Sequence, residues 1–254
     1  LVDAWQWIDK DHTINVLPLH HVHGIINIMS CALWAGACCE FLPKFDAKHL
    51  WDLFCQGNIN VFMVVPTIYF KLIAYWDNAP ESEQKRLCHA LQPFRLMVSG
   101  SAALPIAVLE KWRSISGHTL LERYGMTEIG MAISNPYQGE RRAGYIGQPL
   151  PNVQIRLVNE NGVVQQENEP GEIQIKGPNV FLEYWQKPEA TLKTFTPDGW
   201  FMTGDMGYIA DGEIYIAGRY KDLIINAGKN VYPQDIKAVV SAVDGIRAGR
   251  VVCF

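Results

Sequence analysis

Between Leu120 and Gly144 the chain reads LLERYGMTEIGMAISNPYQGERRAG, which carries Arg123, Thr127, Glu128, Glu140, Arg141 and Arg142 among small residues. A hydroxyl and five charges so placed suit either a solvated loop or a site built for anions. Within YGMTE, Gly125 permits a sharp turn and Thr127 offers a hydroxyl to a phosphate oxygen, while Glu128 offers a hard carboxylate oxygen to magnesium. The same residues would equally make a helix N-terminus capped by Thr127. Upstream, SGSAALP (99–105) lets the backbone approach a flat or charged ligand at the end of a strand, where open α/β sheets bind ligands, although an ordinary tight turn has the same composition. The nucleophile elbow G-x-S-x-G is not matched around Ser101, because Ala103 stands where its second glycine belongs.

Downstream, Asp205 in GWFMTGD has the two oxygens needed to accept a pair of ribose hydroxyls, and Arg219 in GRYKDLI can meet a ribose or a phosphate. The competing reading is a surface ion pair worth little. In HHVHG, His21 and His23 would share one face of an extended chain, as metal ligands do. No third ligand accompanies them at a recognisable spacing, so a ligand-lining or packed histidine is the better expectation.

These residues need a scaffold, and the chain supplies a strand, loop and helix design three times. INVLPLHHVHG opens as a strand and breaks at Pro18 and Gly24 before a helix; INVFMVVPTIYFKLIAYW is an apolar strand ending near Pro66, then a helix. FRLMVSGSAALPIAVLEKW runs as a strand to Val98, with Pro105 in the first turn of the next helix. Such repetition predicts an α/β layer of mostly parallel strands. After Pro149 the pattern becomes β-rich, with a hairpin around Asp211 and Gly212, a hinge between Arg219 and Asp222, and a helix starting near Pro233.

The totals narrow the function classes. Of the 254 residues 48% are hydrophobic and 19% charged, enough for a sizeable core, and the net charge of -4 gives no basic field for nucleic acid. The longest apolar run, Ile25 to Cys39, falls short of the roughly 20 residues a membrane span needs and is expected to form a buried helix. Six cysteines without CxxC spacing, mostly among apolar neighbours, predict reduced thiols in a reducing compartment. A start at Leu1 and a stop directly after GRVVCF suggest a piece of a longer protein.

Taken in order, SGSAALP, ERYGMTE, GWFMTGD and GRYKDLIINAGKNVYP resemble the core motifs of the adenylate-forming superfamily of acyl-CoA synthetases, adenylation domains and luciferases. Within it, ERYGMTEIGMAISNPYQGERRAGYIGQPLP is most similar to malonyl-CoA synthetases. The resemblance implies a large N-terminal α/β domain with mixed sheets and a β-rich distal part (1–220), and the beginning of a small α+β C-terminal domain (221–254). It implies that Gly100, Ser101 and Ala102 line an adenine, with Tyr124 and Gly125 beside the nucleotide. Thr127 would hold the α-phosphate, Glu128 would assist Mg2+, and Asp205 and Arg219 would grip the ribose. Lys221 falls at the family's hinge, and Gly228 beside the tunnel that admits coenzyme A.

A dicarboxylate keeps one free carboxylate in the pocket after the other has attacked ATP, and an arginine can hold it bidentately. Arg123 is the candidate, with His23 and Met126 as further acid-pocket residues; an exposed Arg123 paired with Glu122 or Glu140 is the competing expectation. The activity so implied is ATP-dependent activation of malonate, or a close short dicarboxylate, and its transfer to coenzyme A, in the cytoplasm, or in mitochondria if a transit peptide precedes Leu1. The phosphate loop would also precede Leu1 and the closing lysine would lie beyond Phe254, so this fragment alone is expected not to turn over. The tail from Asn230 is more similar to fatty acyl-AMP ligases, which deliver to an acyl carrier protein. Three alternatives stand beside this one. A fatty acyl ligase predicts an apolar tunnel in which Arg123 would be out of place, a non-enzymatic remnant would bind adenylate without forming pyrophosphate, and a serine hydrolase would use Ser101.

Overall fold

A computed structural model describes residues 1–222, 224–226, 229–241, 243, 246 and 251. The chain divides into two compact units, 1–127 with 135–144, and 128–134 with 145–254.

In the first unit, β1 (His12–Asn15), β2 (Cys38–Phe41), β3 (Val61–Val64), β4 (Leu96–Ser99) and β5 (Leu121–Met126) lie in the order β2-β1-β3-β4-β5, all parallel. Strands β3 and β4 are buried at every residue, as their unbroken apolar runs require of central parallel strands covered on both faces. Between the strands run α1 (Cys31–Ala35), α2 (Ala47–Phe54), α3 (Pro66–Asp77), α4 (Glu81–Ala90) and α5 (Ile106–Ser116). Pro66 opens α3 at a position where the missing N–H costs nothing. Asp46 caps α2 by accepting from the His49 N–H at 2.7 Å. Gly117, at φ +75°, ends α5 in the left-handed conformation that glycine adopts without a Cβ penalty. Trp51, Phe54, Phe62, Tyr69 and Trp112 form the centre of one core, with ring centroids 5.0–6.0 Å apart.

The second unit holds β6 (Gly130–Ser134) paired with β7 (Gln148–Pro149), and an antiparallel sheet in the order β12-β11-β10-β8-β9. Its strands are β8 (Gln154–Asn159), β9 (Gly162–Val163), β10 (Gly171–Lys176), β11 (Phe201–Ala210) and β12 (Glu213–Arg219). The short α6 (Pro188–Leu192) precedes β11; after a 3-10 turn at Tyr220–Asp222 come β13 (Ile224–Asn226), β14 (Lys229–Val231) and α7 (Pro233–Ser241). The Asp211–Gly212 turn joins β11 to β12 as expected, both residues at positive φ.

Local pattern misleads in four places. The run from Ile25 to Cys39 is not one buried helix: a π-helix (His23–Ser30) passes into α1, stops at Gly36 (φ +74°), and Cys38 and Cys39 belong to β2. Its hydrophobic residues also face both ways, Leu33 and Trp34 being 66% and 84% exposed. Apolar composition fixes neither face nor length where a left-handed glycine interrupts the helix. YGMTE is neither a helix start nor a solvated loop, because Tyr124 to Met126 finish β5 and the turn follows at Thr127. Cys38 is exposed, while among the described residues every cysteine is a free thiol. Helices α2 and α4 follow no strand, loop and helix signature in sequence, and α4 buries only Leu87 and Ala90.

No helix among the described residues is long and apolar enough to cross a membrane.

Candidate functional site

The parallel strands deliver their C-terminal ends to one edge, and there the first unit assembles a polar cluster. β4 ends at Ser99, the loop begins at Gly100, β5 brings Arg123 alongside, and the π-helix contributes His23. Ser101 Oγ lies 3.2 Å from His23 Nδ1, and Arg123 Nη2 lies 3.5 Å from the same oxygen. Arg123 is 4% exposed, and among the described residues it pairs with no acid, so neither Glu122 nor Glu140 neutralises it. Burial alone pulls its guanidinium down to about 10. Burial, then the neighbouring Arg123 charge, holds His23 well below the usual imidazole range, so the ring is neutral at physiological pH.

This cluster is short of partners. His23 Nε2, Arg123 Nε, Ser99 Oγ and both amide atoms of Asn27 are buried with no hydrogen bond among the described residues. Such groups cost about 1–3 kcal/mol each when left unmade, and a buried cation costs more. An anion beside Arg123 would meet its free Nε donor and the buried charge, although it could not satisfy an acceptor such as Asn27 Oδ1. The π-helix suits the role, since these one-turn insertions recur at functional sites. A hydrolase is poorly served by the same geometry. Among the described residues no carboxylate orients His23, and the Arg123 charge opposes the imidazolium that a general base must become.

The guanidinium fits only because residue 100 has no side chain. A methyl there would sit 2.5 Å from Arg123 Nη1 and 2.6 Å from Nε, distances no packed carbon tolerates. Gly100→Ala is expected to displace Arg123 while leaving the fold intact, since Gly100 is not at positive φ. Melting temperature would then change little while carboxylate binding, followed by calorimetry, falls as it does on removing Arg123; unchanged binding would refute the packing argument.

On β5 the side chain before Arg123 is also buried. Glu122 accepts from the backbone N–H groups of Leu104 and Gly144, yet burial dominates and pushes its carboxyl up to about 7. Its folded value lies above the unfolded one, so native protein binds the extra proton between about pH 4.5 and 7 and loses stability as pH rises through that window. Glu122→Gln should flatten this fall in a pH series of denaturant melts; an unaltered slope would assign the dependence elsewhere.

The remaining expected residues fall as follows. In the first unit, Ala102 and Thr127 are exposed, and Tyr124, Gly125 and Met126 are half-buried along the end of β5. In the second unit, Glu128 Oε1 accepts from the Tyr184 hydroxyl at 2.9 Å, and the Phe181 N–H donates to the Glu128 carbonyl at 2.7 Å. Asn179 Nδ2 adds a bond to the Ile129 carbonyl at 2.8 Å. The segment 179–184 thus braces Glu128, a contact that no spacing in the sequence announces. Asp205 and Arg219 face each other across β11 and β12, Nε to Oδ1 2.9 Å, with Asp205 buried and Arg219 half out in solvent. Lys221 is exposed in the 3-10 turn, and Gly228 lies outside the described residues. His21 is exposed and lies against the His20 ring, tilted, with centroids 4.3 Å apart, so it does not share a face with buried His23. No group of three or more metal-ligating side chains occurs among the described residues.

Comparison with known proteins adds the following. The model of the AMP-binding enzyme family matches residues 2–185. The mitochondrial malonate–CoA ligase ACSF3 of Bos taurus is 45% identical over 271 residues, covering 95% of this chain and 46% of its own length. The crystal structure of ATP-bound MatB from Rhodopseudomonas palustris superposes with a TM-score of 0.88 at 40% identity, covering 97% of this chain and 48% of that one. A malonyl-CoA ligase ternary product complex with methylmalonyl-CoA and AMP bound superposes with a TM-score of 0.79 at 37% identity, covering 98% of this chain and 53% of that one. The chain therefore spans about half the length of these relatives.

Proposed function

Since the chain belongs to the AMP-binding enzyme family, we propose that it forms the central part of an ATP-dependent acid–thiol ligase that activates malonate, or a close short dicarboxylate, and passes it to coenzyme A. The observation that carries this reading is the buried, acid-free guanidinium of Arg123 beside neutral His23 at the C-terminal edge of the parallel strands. A fatty acyl chain would leave that cation unpaired, whereas the distal carboxylate of malonate satisfies it bidentately.

The likeness of these motifs to those of the family supports the following roles. Arg123 holds the distal carboxylate, with His23 donating or accepting at its side and Met126 closing the apolar wall. Gly100, Ser101 and Ala102 line the adenine, with Tyr124 and Gly125 against the nucleotide. Asp205, oriented by its ion pair with Arg219, accepts the ribose hydroxyls. Thr127 donates to the α-phosphate. Glu128, positioned by Tyr184, provides one hard oxygen, which fits Mg2+, an ion that usually takes one or two protein carboxylates and fills its shell from phosphate and water. When bound, that ion neutralises the triphosphate charge.

In the first half-reaction a carboxylate oxygen of the acid attacks the α-phosphorus and pyrophosphate leaves, so positioning and charge neutralisation by these side chains supply the catalysis. In the second the thiol sulfur attacks the acyl carbonyl and AMP leaves, after the part of the chain from Lys221 onward has rotated about that hinge. The bovine relative is named as mitochondrial, and we assign this protein to the same compartment on that likeness.

The test is carboxylate-dependent exchange between ATP and pyrophosphate by the full-length protein, offered malonate, methylmalonate, acetate and octanoate. Malonate or methylmalonate should support the fastest exchange. Fastest exchange with octanoate would reject the dicarboxylate reading, and no exchange with any acid would reject the ligase.

A further inference from the structure

The first unit has a second polar concavity, at the opposite edge of its parallel strands, where β4 and β5 begin rather than end. It encloses about 400 Å³ and its walls are almost wholly polar. We propose that this cavity is an anion site of its own, shaped for a phosphate or a small phosphate monoester, and distinct from the cluster around Arg123.

The argument starts from Arg141. Its guanidinium is fixed by three carbonyls, Nε to Pro136 at 3.0 Å, Nη1 to Thr119 at 2.6 Å and Nη2 to Tyr137 at 2.6 Å. No carboxylate pairs with it among the described residues. Of its five N–H donors three are used by these carbonyls, which leaves one on each terminal nitrogen to offer to an anion. Its orientation is prepaid, so an arriving anion loses little entropy in fixing it.

The surrounding charges point the same way. Arg95 also lines the cavity, but Asp11 already matches it with two hydrogen bonds. Arg113, on the last turn of α5, is exposed and has no acidic partner among the described residues. Against Arg113 and Arg141 stands one carboxylate, exposed Glu140 on the wall, so the site keeps net positive charge. Two lining glycines open the space: a Cβ on Gly117 (φ +75°) would meet nothing within 4 Å, and one on Gly139 (φ +110°) only Pro136 Cγ at 3.9 Å. Room for a small solute, a guanidinium held in place and an unmatched second arginine suit a phosphoryl dianion.

The inference does not rest on the ligase reading, and its test separates the two. Full-length protein is first titrated with AMP alone, which reports on the nucleotide site by itself. With AMP then saturating, inorganic phosphate and glycerol 3-phosphate are titrated by calorimetry. Saturable binding is expected, weakened about tenfold or more by Arg113→Glu, where a charge-assisted contact becomes repulsion, and tightened by Glu140→Gln. Both side chains are exposed, so neither variant should disturb folding. Tighter binding of the monoester would identify an esterified ligand, and equal binding the inorganic ion. Absence of binding, or binding that ignores both substitutions, would overturn the proposal.

Discussion

Arg123→Ala is expected to cost dicarboxylate substrates about 2–5 kcal/mol in kcat/KM relative to acetate, the range found when one partner of a buried, hydrogen-bonded charge pair is removed. The reason lies in what surrounds the guanidinium. It is 4% exposed, burial already works against its charge, and its side-chain neighbours are a neutral imidazole and a hydroxyl. An anion is the missing partner, and the distal carboxylate of malonate supplies it. Without Arg123 that carboxylate would enter a buried pocket unpaired, whereas the methyl of acetate asks nothing of the cation. The variant should therefore invert or abolish the preference for malonate while retaining exchange with acetate. Arg123→Lys should recover only part of the loss, because an ammonium cannot reproduce the planar fork. The ratio of kcat/KM for malonate and acetate, measured on full-length protein, decides the matter; a ratio unmoved by Arg123→Ala would mean that the distal carboxylate is held elsewhere.

Asp11→Ala should lower the stability of the folded chain by about 3–5 kcal/mol, the cost of leaving a buried charge pair half-made. Asp11 is 1% exposed. Its carboxylate accepts from Arg95 Nε at 2.6 Å, from Arg95 Nη2, from Asn60 Nδ2 at 3.1 Å and from the Ile8 N–H at 2.8 Å. Arg95 in turn reaches the Trp5 carbonyl at 3.1 Å and lies over the Tyr137 ring. One carboxylate thus ties the segment before β1 to the starts of β3 and β4. Removing it strands a largely buried guanidinium and an amide at once. Urea denaturation would show a lower midpoint with an unchanged slope; a loss below about 1 kcal/mol would place the pair in the class of screened surface ion pairs. Asp11→Asn, which keeps acceptor oxygen but not charge, should fall between.

The two predictions differ in how far the sequence could anticipate them. Arg123 was legible because its neighbours are: Gly125, Thr127 and Glu128 follow it in a short string whose turn, hydroxyl and carboxylate have local meaning. The strands bearing β3, β4 and the hairpin at Asp211–Gly212 were legible for the same reason, as apolar runs and turn dipeptides act over a few residues. Asp11 gave no such sign. Its side-chain partners are 84 and 49 residues away, and nothing in a spacing that long marks two side chains as neighbours.

By itself, then, the chemistry of this protein's residues determined the α/β layer, the order of its ligand-bearing loops and the types of group each loop offers. Tertiary structure decided which of those groups are alone. Arg123 would have been an ordinary exposed cation had Glu122 or Glu140 turned toward it. Instead the alternation of β5 points Glu122 and Arg123 to opposite faces, Gly100 leaves the guanidinium its space, and Glu140 stays in solvent. Tyr184 on Glu128, the break of the Ile25–Cys39 run at Gly36, and the fork of Arg141 on three carbonyls were decided in the same way. Propensity and pattern are properties of neighbouring residues, whereas burial and partnership depend on which distant segments the chain brings together, and it is burial without a partner that turns a charged side chain into a site.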